Sequence, residues 1–303
     1  MNLVVPDALA GERLDRIVAL EADLTRNAAS ALVSSGAVTV NGAVVTKGSA
    51  RVATGDVIAA VLAPVADDSL VAEPDVAFDV VYEDDDVIVV DKPARLVVHP
   101  GAGRDAGTLV HGLVARYPEI ASVGERTRPG IVHRLDSGTS GLMVVARTEA
   151  ARAALVEMLS AREVSRQYRA LSWGEIAGEE GLIDAPIGRS ERERTKMAIA
   201  ADGREARTRF VVLERFASPV PVTLLECHLD TGRTHQIRVH LASIKHPVVG
   251  DTRYGRARPA IRCDRPFLHA ERLAFAHPIT GEEMAFGSAL PDDLVSVLAT
   301  LSS

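Results

Sequence analysis

The sequence predicts an α+β protein in two parts, a small domain over residues 12–62 and a large one over 76–303. Three observations predict it. Short apolar runs bounded by Gly, Pro, Asn and Asp outnumber the helical patterns and show no regular strand–helix–strand alternation. An acidic stretch with two prolines, 63–75, lacks periodicity and reads as a linker. The length, 303 residues, leaves room for one large core plus a small one.

Taken in order, Leu14, Ile17 and Val18 have helical spacing. Thr25 is the expected N-cap of a second helix that runs through Ala28 and Leu32 to a stop at Gly36. Val38 to Val44 reads as strand, Asn41-Gly42 turn, strand, and Val57 to Val61 as a further strand after the Gly55-Asp56 turn. Beyond the linker, Glu149 to Ser160 is the clearest helix, with Ala153, Val156 and Leu159 expected on its buried stripe. Strands are expected over Tyr168–Trp173, Arg207–Leu213, Thr223–His228 and Gln236–Val239.

Composition narrows the class. At 47% hydrophobic and 25% charged the chain is of soluble globular type, and neither an export signal nor a membrane-length apolar run is read. Cys227 and Cys263 are far apart and in no CxxC pair, which predicts reduced, buried thiols in a cytoplasmic protein. The net charge of −7 argues superficially against a nucleic-acid partner. Nine of the 41 acids fall in 63–86, however, and the remaining 32 face 34 bases. Local clusters such as Arg189, Arg192, Arg194 and Lys196 are where phosphates would dock. The interleaved Glu191 and Glu193 fit an ordinary solvated face equally well.

The chemistry concentrates in Gly130-Ile131-Val132-His133-Arg134-Leu135-Asp136-Ser137-Gly138-Thr139-Ser140-Gly141, which leads into Leu142 to Ala146. One acid sits in a glycine-punctuated turn between two apolar runs, so Asp136 is held at a fixed place on a rigid frame. The alternative is a turn-capping Asp with no chemistry. This run resembles the His-Arg-Leu-Asp-x-x-Thr-Ser-Gly signature of the pseudouridine synthases that modify large-subunit ribosomal RNA. Val81 to Pro93, Leu96 to Gly101, Thr231 to His240, His246 to Asp251 and Leu268 to Ala270 extend the resemblance over about 12–290. It is strongest to the D-type branch, which carries an added RNA-binding domain, and 12–62 itself resembles the S4 module.

The resemblance implies the pseudouridine synthase fold, with a mixed, largely antiparallel central sheet. It implies isomerisation of specific uridines in 23S ribosomal RNA, without metal or other cofactor; a monomer with no membrane association is expected. Asp136 would be the catalytic carboxylate, acting either on C1′ or on a sugar proton. A carboxylate in a cleft needs a cation beside it. The family's late motif maps that role onto Arg238, leaving Arg233 to RNA or loop contacts. Tyr168 would stack on the uracil and relay a proton at C5, and Arg134 would fill the space left by an extruded base. His133, His99, Thr139 and Gln236 would build the cleft wall. In the small domain, Arg13, Arg26 and Lys47, with Arg16 and Arg51, would form the RNA surface, although the second helix holds few bases.

Other chemistries fit less well. Gly138 to Leu142 fails the G-x-S-x-G elbow at its last position. Gly101 to Gly107 is not a dinucleotide cradle, because it follows Pro100 rather than a strand. His235, His240 and His246 lack metal-ligand spacing. A non-catalytic ribosome-assembly factor on the same fold, and a synthase acting on another RNA, are the remaining alternatives.

Overall fold

A computed structural model of the chain describes residues 1–22, 24, 26–61, 70–101, 104–256 and 258–302, with the side chains of residues 26 and 27 outside the description. The expected cap at Thr25 and most of the acidic linker lie outside the described residues. The chain divides into two compact units, Met1–Asp68 and Ser69–Ser303.

In the first unit, β1 (Asn2–Val4), α1 (Leu14–Glu21), α2 (Arg26–Ser34), β2 (Val38–Val40), β3 (Ala43–Val44) and β4 (Val57–Ala60) follow in order. The strands form an antiparallel sheet in the order β1-β4-β2-β3. Asn41 and Gly42 both have positive φ, 53° and 81°, as the two-residue turn between β2 and β3 requires. Leu14, Ile17 and Val18 of α1 and Ala29 and Val33 of α2 bury one face of each helix against Val38 and Ile58 of the sheet.

The second unit begins with a hairpin, β5 (Asp79–Glu83) and β6 (Val87–Lys92), and continues through α3 (Leu109–Arg116), β7 (Ser140–Ala146), α4 (Glu149–Ala161) and β8 (Ser165–Trp173). Next come β9 (Glu180–Asp184), a small hairpin of β10 (Ile187–Arg189) and β11 (Met197–Ile199), and the long pair β12 (Arg207–Phe216) and β13 (Val222–Leu229). The chain ends with α5 (Gln236–Ser243), β14 (Leu268–Ala276), β15 (Glu283–Gly287) and α6 (Asp292–Leu298).

Nine of these strands form one sheet, ordered β5-β6-β7-β14-β8-β13-β12-β9 with β15 also on β14. Every pairing is antiparallel except β7 with β14, a parallel seam of two residue pairs, Ser140 with His269 and Gly141 with Ala270. Gly141 has φ 113°, and a Cβ there would lie 2.3 Å from the Ala270 carbonyl oxygen, so only glycine permits this approach.

The apolar runs of β6 and β7 are continuous because both faces are covered. Val87, Val89, Leu142 and Val144 pack with Ala151 and Leu155 of α4. Ile88, Val90, Met143 and Val145 pack with Leu109 and Leu113 of α3.

Three expectations are corrected. Residues 236–239 open a helix, not a strand. The buried stripe of α4 is Ala151 and Leu155, whereas Ala153 and Val156 are exposed. Cys227 and Cys263 are free thiols, and Cys263 is only half-buried.

Candidate active site

Asp136 lies in the turn that enters β7, and the turn is fixed from three sides. The Asp136 carbonyl accepts the Thr139 N–H at 3.0 Å, and the Ser137 carbonyl accepts the Arg95 N–H at 2.6 Å. Arg265 donates to the Gly138 carbonyl at 3.2 Å, while its Nε and Nη2 donate to Asp293 of α6 at 2.6 and 2.9 Å. The turn's own i→i+3 bond and hydrogen bonds from Arg95 and Arg265 outside it thus together hold the carboxylate in place.

Arg238, in the first turn of α5, donates from Nη1 to Asp136 Oδ2 at 3.0 Å. The other edge of its fork grips Asp251, Nε to Oδ2 at 2.6 Å and Nη2 to Oδ1 at 2.9 Å. Asp251 Oδ1 also accepts the backbone N–H groups of Arg253 and Tyr254, at 2.9 and 3.2 Å. The Tyr254 ring lies against the guanidinium, 5.1 Å from its centroid. Burial works against the Arg238 charge, but the hydrogen bonds and charges of Asp251 and Asp136 outweigh it and raise the pKa. Burial likewise opposes the Asp251 charge, and Arg238 reverses that to hold the carboxyl below its usual range.

Asp136 faces a cleft of about 700 Å³, and Tyr168 of β8 lines the same cleft. Burial, together with the Asp136 charge, pushes the Tyr168 phenol up to about 12 against the opposing charge of Arg166. Tyr168 therefore meets a substrate as a phenol at neutral pH. It can stack and hydrogen-bond, but it is not a free base.

The remaining expected residues fall into two groups. Arg134 and Thr139 line the cleft, as His99, His133, Arg233 and Gln236 also do. Arg134 is exposed at the rim and donates to His99 Nε2 at 3.2 Å, with His99 Nδ1 turned to the Pro100 carbonyl at 2.9 Å. Thr139 is buried.

The other three brace the walls. His133 Nε2 accepts the Val144 N–H at 3.1 Å, and burial beside the Arg166 charge lowers its pKa to about 3, so it is a neutral brace between the turn and β7. Gln236 has its amide fully occupied: Oε1 accepts from Thr231 Oγ1 and the Arg233 N–H, and Nε2 donates to the Arg207 carbonyl and Thr208 Oγ1. It pins the 231–233 loop to β12. Arg233 donates from Nε to the Glu205 carbonyl at 2.9 Å, a loop contact at the wall of the cleft.

In the first unit, Arg13 sets its fork on Asp15 at 3.0 and 2.5 Å, Lys47 is exposed, and Arg26 opens α2.

Three residues with clear chemistry were not assigned a role from the sequence. Asp251 clamps Arg238. Lys92 is fully buried, donates to the carbonyls of Pro93 and Leu96 at 2.8 and 2.9 Å, and has its pKa lowered by burial to about 7 despite the Asp136 charge. His235, in a left-handed conformation at the start of α5, brings Nε2 to 3.9 Å from Asp136 Oδ1 while Nδ1 meets the Tyr254 hydroxyl at 2.6 Å. Burial lowers the His235 pKa, with Asp136 opposing, and the ring is neutral. All three stand inside stretches whose motifs are readable. Their roles depend on which strand or helix end lies beside Asp136, and no spacing gives that.

Comparison with known proteins gives a consistent picture. A family model described as RNA pseudouridylate synthase matches residues 86–243, and an S4 domain model matches 12–58. The chain is 46% identical over 310 residues to ribosomal large subunit pseudouridine synthase D of Vibrio vulnificus, covering 98% of this chain and 93% of that protein. It is 43% identical over 303 residues to an uncharacterized RNA pseudouridine synthase of Bacillus subtilis, covering 99% and 98%. Among solved structures, human RNA pseudouridylate synthase domain containing 1 aligns with a TM-score of 0.59 at 31% identity, covering 75% of this chain and 89% of that one.

Proposed function

The chain belongs to the RNA pseudouridylate synthase family, and on that premise we propose that it isomerises specific uridines of 23S ribosomal RNA to pseudouridine, with Asp136 as the catalytic carboxylate. The observation that carries this reading is the Asp136–Arg238 ion pair, 3.0 Å long, at a cleft shared with Tyr168. The reaction balances within the uridine. The N1–C1′ bond breaks, the uracil turns, a C5–C1′ bond forms, the C5 proton leaves and a proton ends on N1. Such a sequence needs one carboxylate aimed at the sugar, whether it attacks C1′ or removes a sugar proton. It also needs an aromatic surface that keeps the freed base from leaving, the role given to Tyr168. Arg134, exposed at the rim, suits the space an extruded nucleotide leaves in its stack.

The V. vulnificus relative's name supports large-subunit RNA as the substrate, and the S4 match supports RNA contact by Arg13, Arg26 and Lys47. Asp136, Tyr168 and Arg238 come from one chain, which fits action as a monomer. Among the described residues no helix is long and apolar enough to cross a membrane.

The test is chemical mapping of pseudouridine in 23S ribosomal RNA from cells with and without the gene, with complementation by wild type or Asp136→Ala. Marks lost with the gene and restored by wild type alone are expected, while the Asp136→Ala protein keeps most of its RNA affinity because many phosphate contacts supply it. Restoration by Asp136→Ala would refute the catalytic assignment. An unchanged map would refute the substrate.

A further inference from the structure

Among the described residues, one buried side-chain polar atom has no hydrogen-bond partner, and it is Nε of Arg166. Arg166 stands on β8 two residues before Tyr168, so both side chains leave the same face of the strand and both line the cleft. Arg166 is 7% exposed. Among the described residues its side chain makes one hydrogen bond, a long one, from Nη2 to the Leu229 carbonyl at 3.4 Å. Among the described residues no carboxylate lies within ion-pair distance of it. Asp230, the acid whose charge it feels, is paired with Arg209 at 3.2 Å.

The surroundings add charge of the same sign. Arg233 is held below its ordinary pKa first by burial and then by Arg204, with Arg162 and Arg166 adding to the effect against Glu205. Glu205 is itself taken up by Arg162 at 2.6 Å. Gly232 makes room for the guanidinium, since a Cβ there would lie 2.8 Å from Arg166 Nη1. A buried cation without a counter-ion, repelled by its neighbours, is costly to the free protein. It is the expected arrangement where an anion arrives with the substrate.

We propose that Arg166, with Arg233 beside it, is a phosphate-binding residue that receives the backbone phosphodiester flanking the uridine held against Tyr168. Two residues along a strand span roughly 6.6 Å, which is about the reach from a base to the phosphate of its own nucleotide. A guanidinium offers a planar fork to phosphate oxygens, and Nε is one of the donors. The inference rests on the function proposed above.

The test is phosphate-ethylation interference on a 23S ribosomal RNA transcript, read from bound RNA and from pseudouridine formation. Wild type should show interference at a phosphate within one nucleotide of the modified uridine. Arg166→Gln should lose that position and keep the others. Its RNA affinity should fall about ten- to hundredfold, and its salt slope should drop by about 0.7–0.9. Because an unpaired buried charge is removed, its melting temperature should not fall. Arg166→Lys, which keeps the charge without the fork, should retain the interference position at reduced affinity. An interference pattern in Arg166→Gln identical to wild type would overturn the inference. So would a lower melting temperature with unchanged affinity, the result of a purely structural role. If Arg166→Gln does not fold, Gly232→Ala, which displaces the guanidinium, must weaken the same position or the inference fails. Absence of any pseudouridine with wild type would overturn the function itself, and this inference with it.

Discussion

Replacing Asp251 by Asn tests how the Asp136 carboxylate is aimed. Asn can keep the Oδ1 contacts with Arg238 Nη2, Arg253 N–H and Tyr254 N–H. At the Oδ2 position, however, its amide nitrogen would face Arg238 Nε, now 2.6 Å from a carboxylate oxygen, donor against donor. One charge-assisted hydrogen bond is lost, about 1.5–3 kcal/mol. Arg238, 8% exposed, is left with Asp136 as its remaining carboxylate. Breaking a buried pair costs about 3–5 kcal/mol, and the retained Oδ1 bonds favour the lower end, near 3 kcal/mol. In a unit of this size that corresponds to a melting point lower by about 6–12 °C. Trp173, the single tryptophan, is buried in the second unit, so its fluorescence follows that unit alone. Arg238 becomes free to turn its fork onto Asp136, and kcat should fall at least about tenfold from the misplaced carboxylate, with KM little changed. A variant with wild-type melting and wild-type kcat would refute the clamp.

Further outcomes follow from other residues. The folded pKa of Lys92 is about 7 against an ordinary 10.5, so between these values the unfolded chain binds more protons and stability rises with pH. The rise is at most about 4–5 kcal/mol, and denaturation series at pH 7 and 10 should show it in wild type but not in Lys92→Met. An equal slope in both would exclude Lys92 as its source. Gly141→Ala places a methyl group against the Ala270 backbone and should cost at least about 2 kcal/mol with loss of activity; a stable, active variant would mean the seam is pliant. Deleting 1–62 should weaken RNA binding or relax site choice and leave turnover of a short stem-loop intact. A deletion with no effect on either would remove the first unit from the RNA contacts.

The sequence was most readable where burial is one-sided or turns have fixed chemistry. Asn41-Gly42 marks its hairpin because few other pairs accept two positive φ angles. Residues 236–239 read as a strand because each residue from 236 to 241 is buried, which leaves no amphipathic period, and the alternation of Ile237 and Val239 imitates a strand. On α4 the expected stripe fails at Ala153 and Val156, which are exposed, with Val156 at the cleft, whereas Leu159 lines the cleft and also packs against the sheet cluster. The candidate site was legible as motifs around Asp136, Tyr168 and Arg238. Asp251 was not assigned, because an acid thirteen residues beyond an arginine has no preferred geometry until a helix and the following loop fold back together.

The two-pair seam between β7 and β14 also dictates when the molecule becomes competent. Asp136 belongs to the segment of β5 to β7, and Arg238 follows β8 to β13, two stretches that can each pair locally as they leave the ribosome. Only β14, residues 268–276, joins them by inserting between β7 and β8. A nascent chain that has not reached that strand carries both halves of the ion pair without bringing them together. Competence is thus acquired in the last stretch of synthesis, and a chain ending before residue 268 is expected to make no pseudouridine even where its earlier strands are paired.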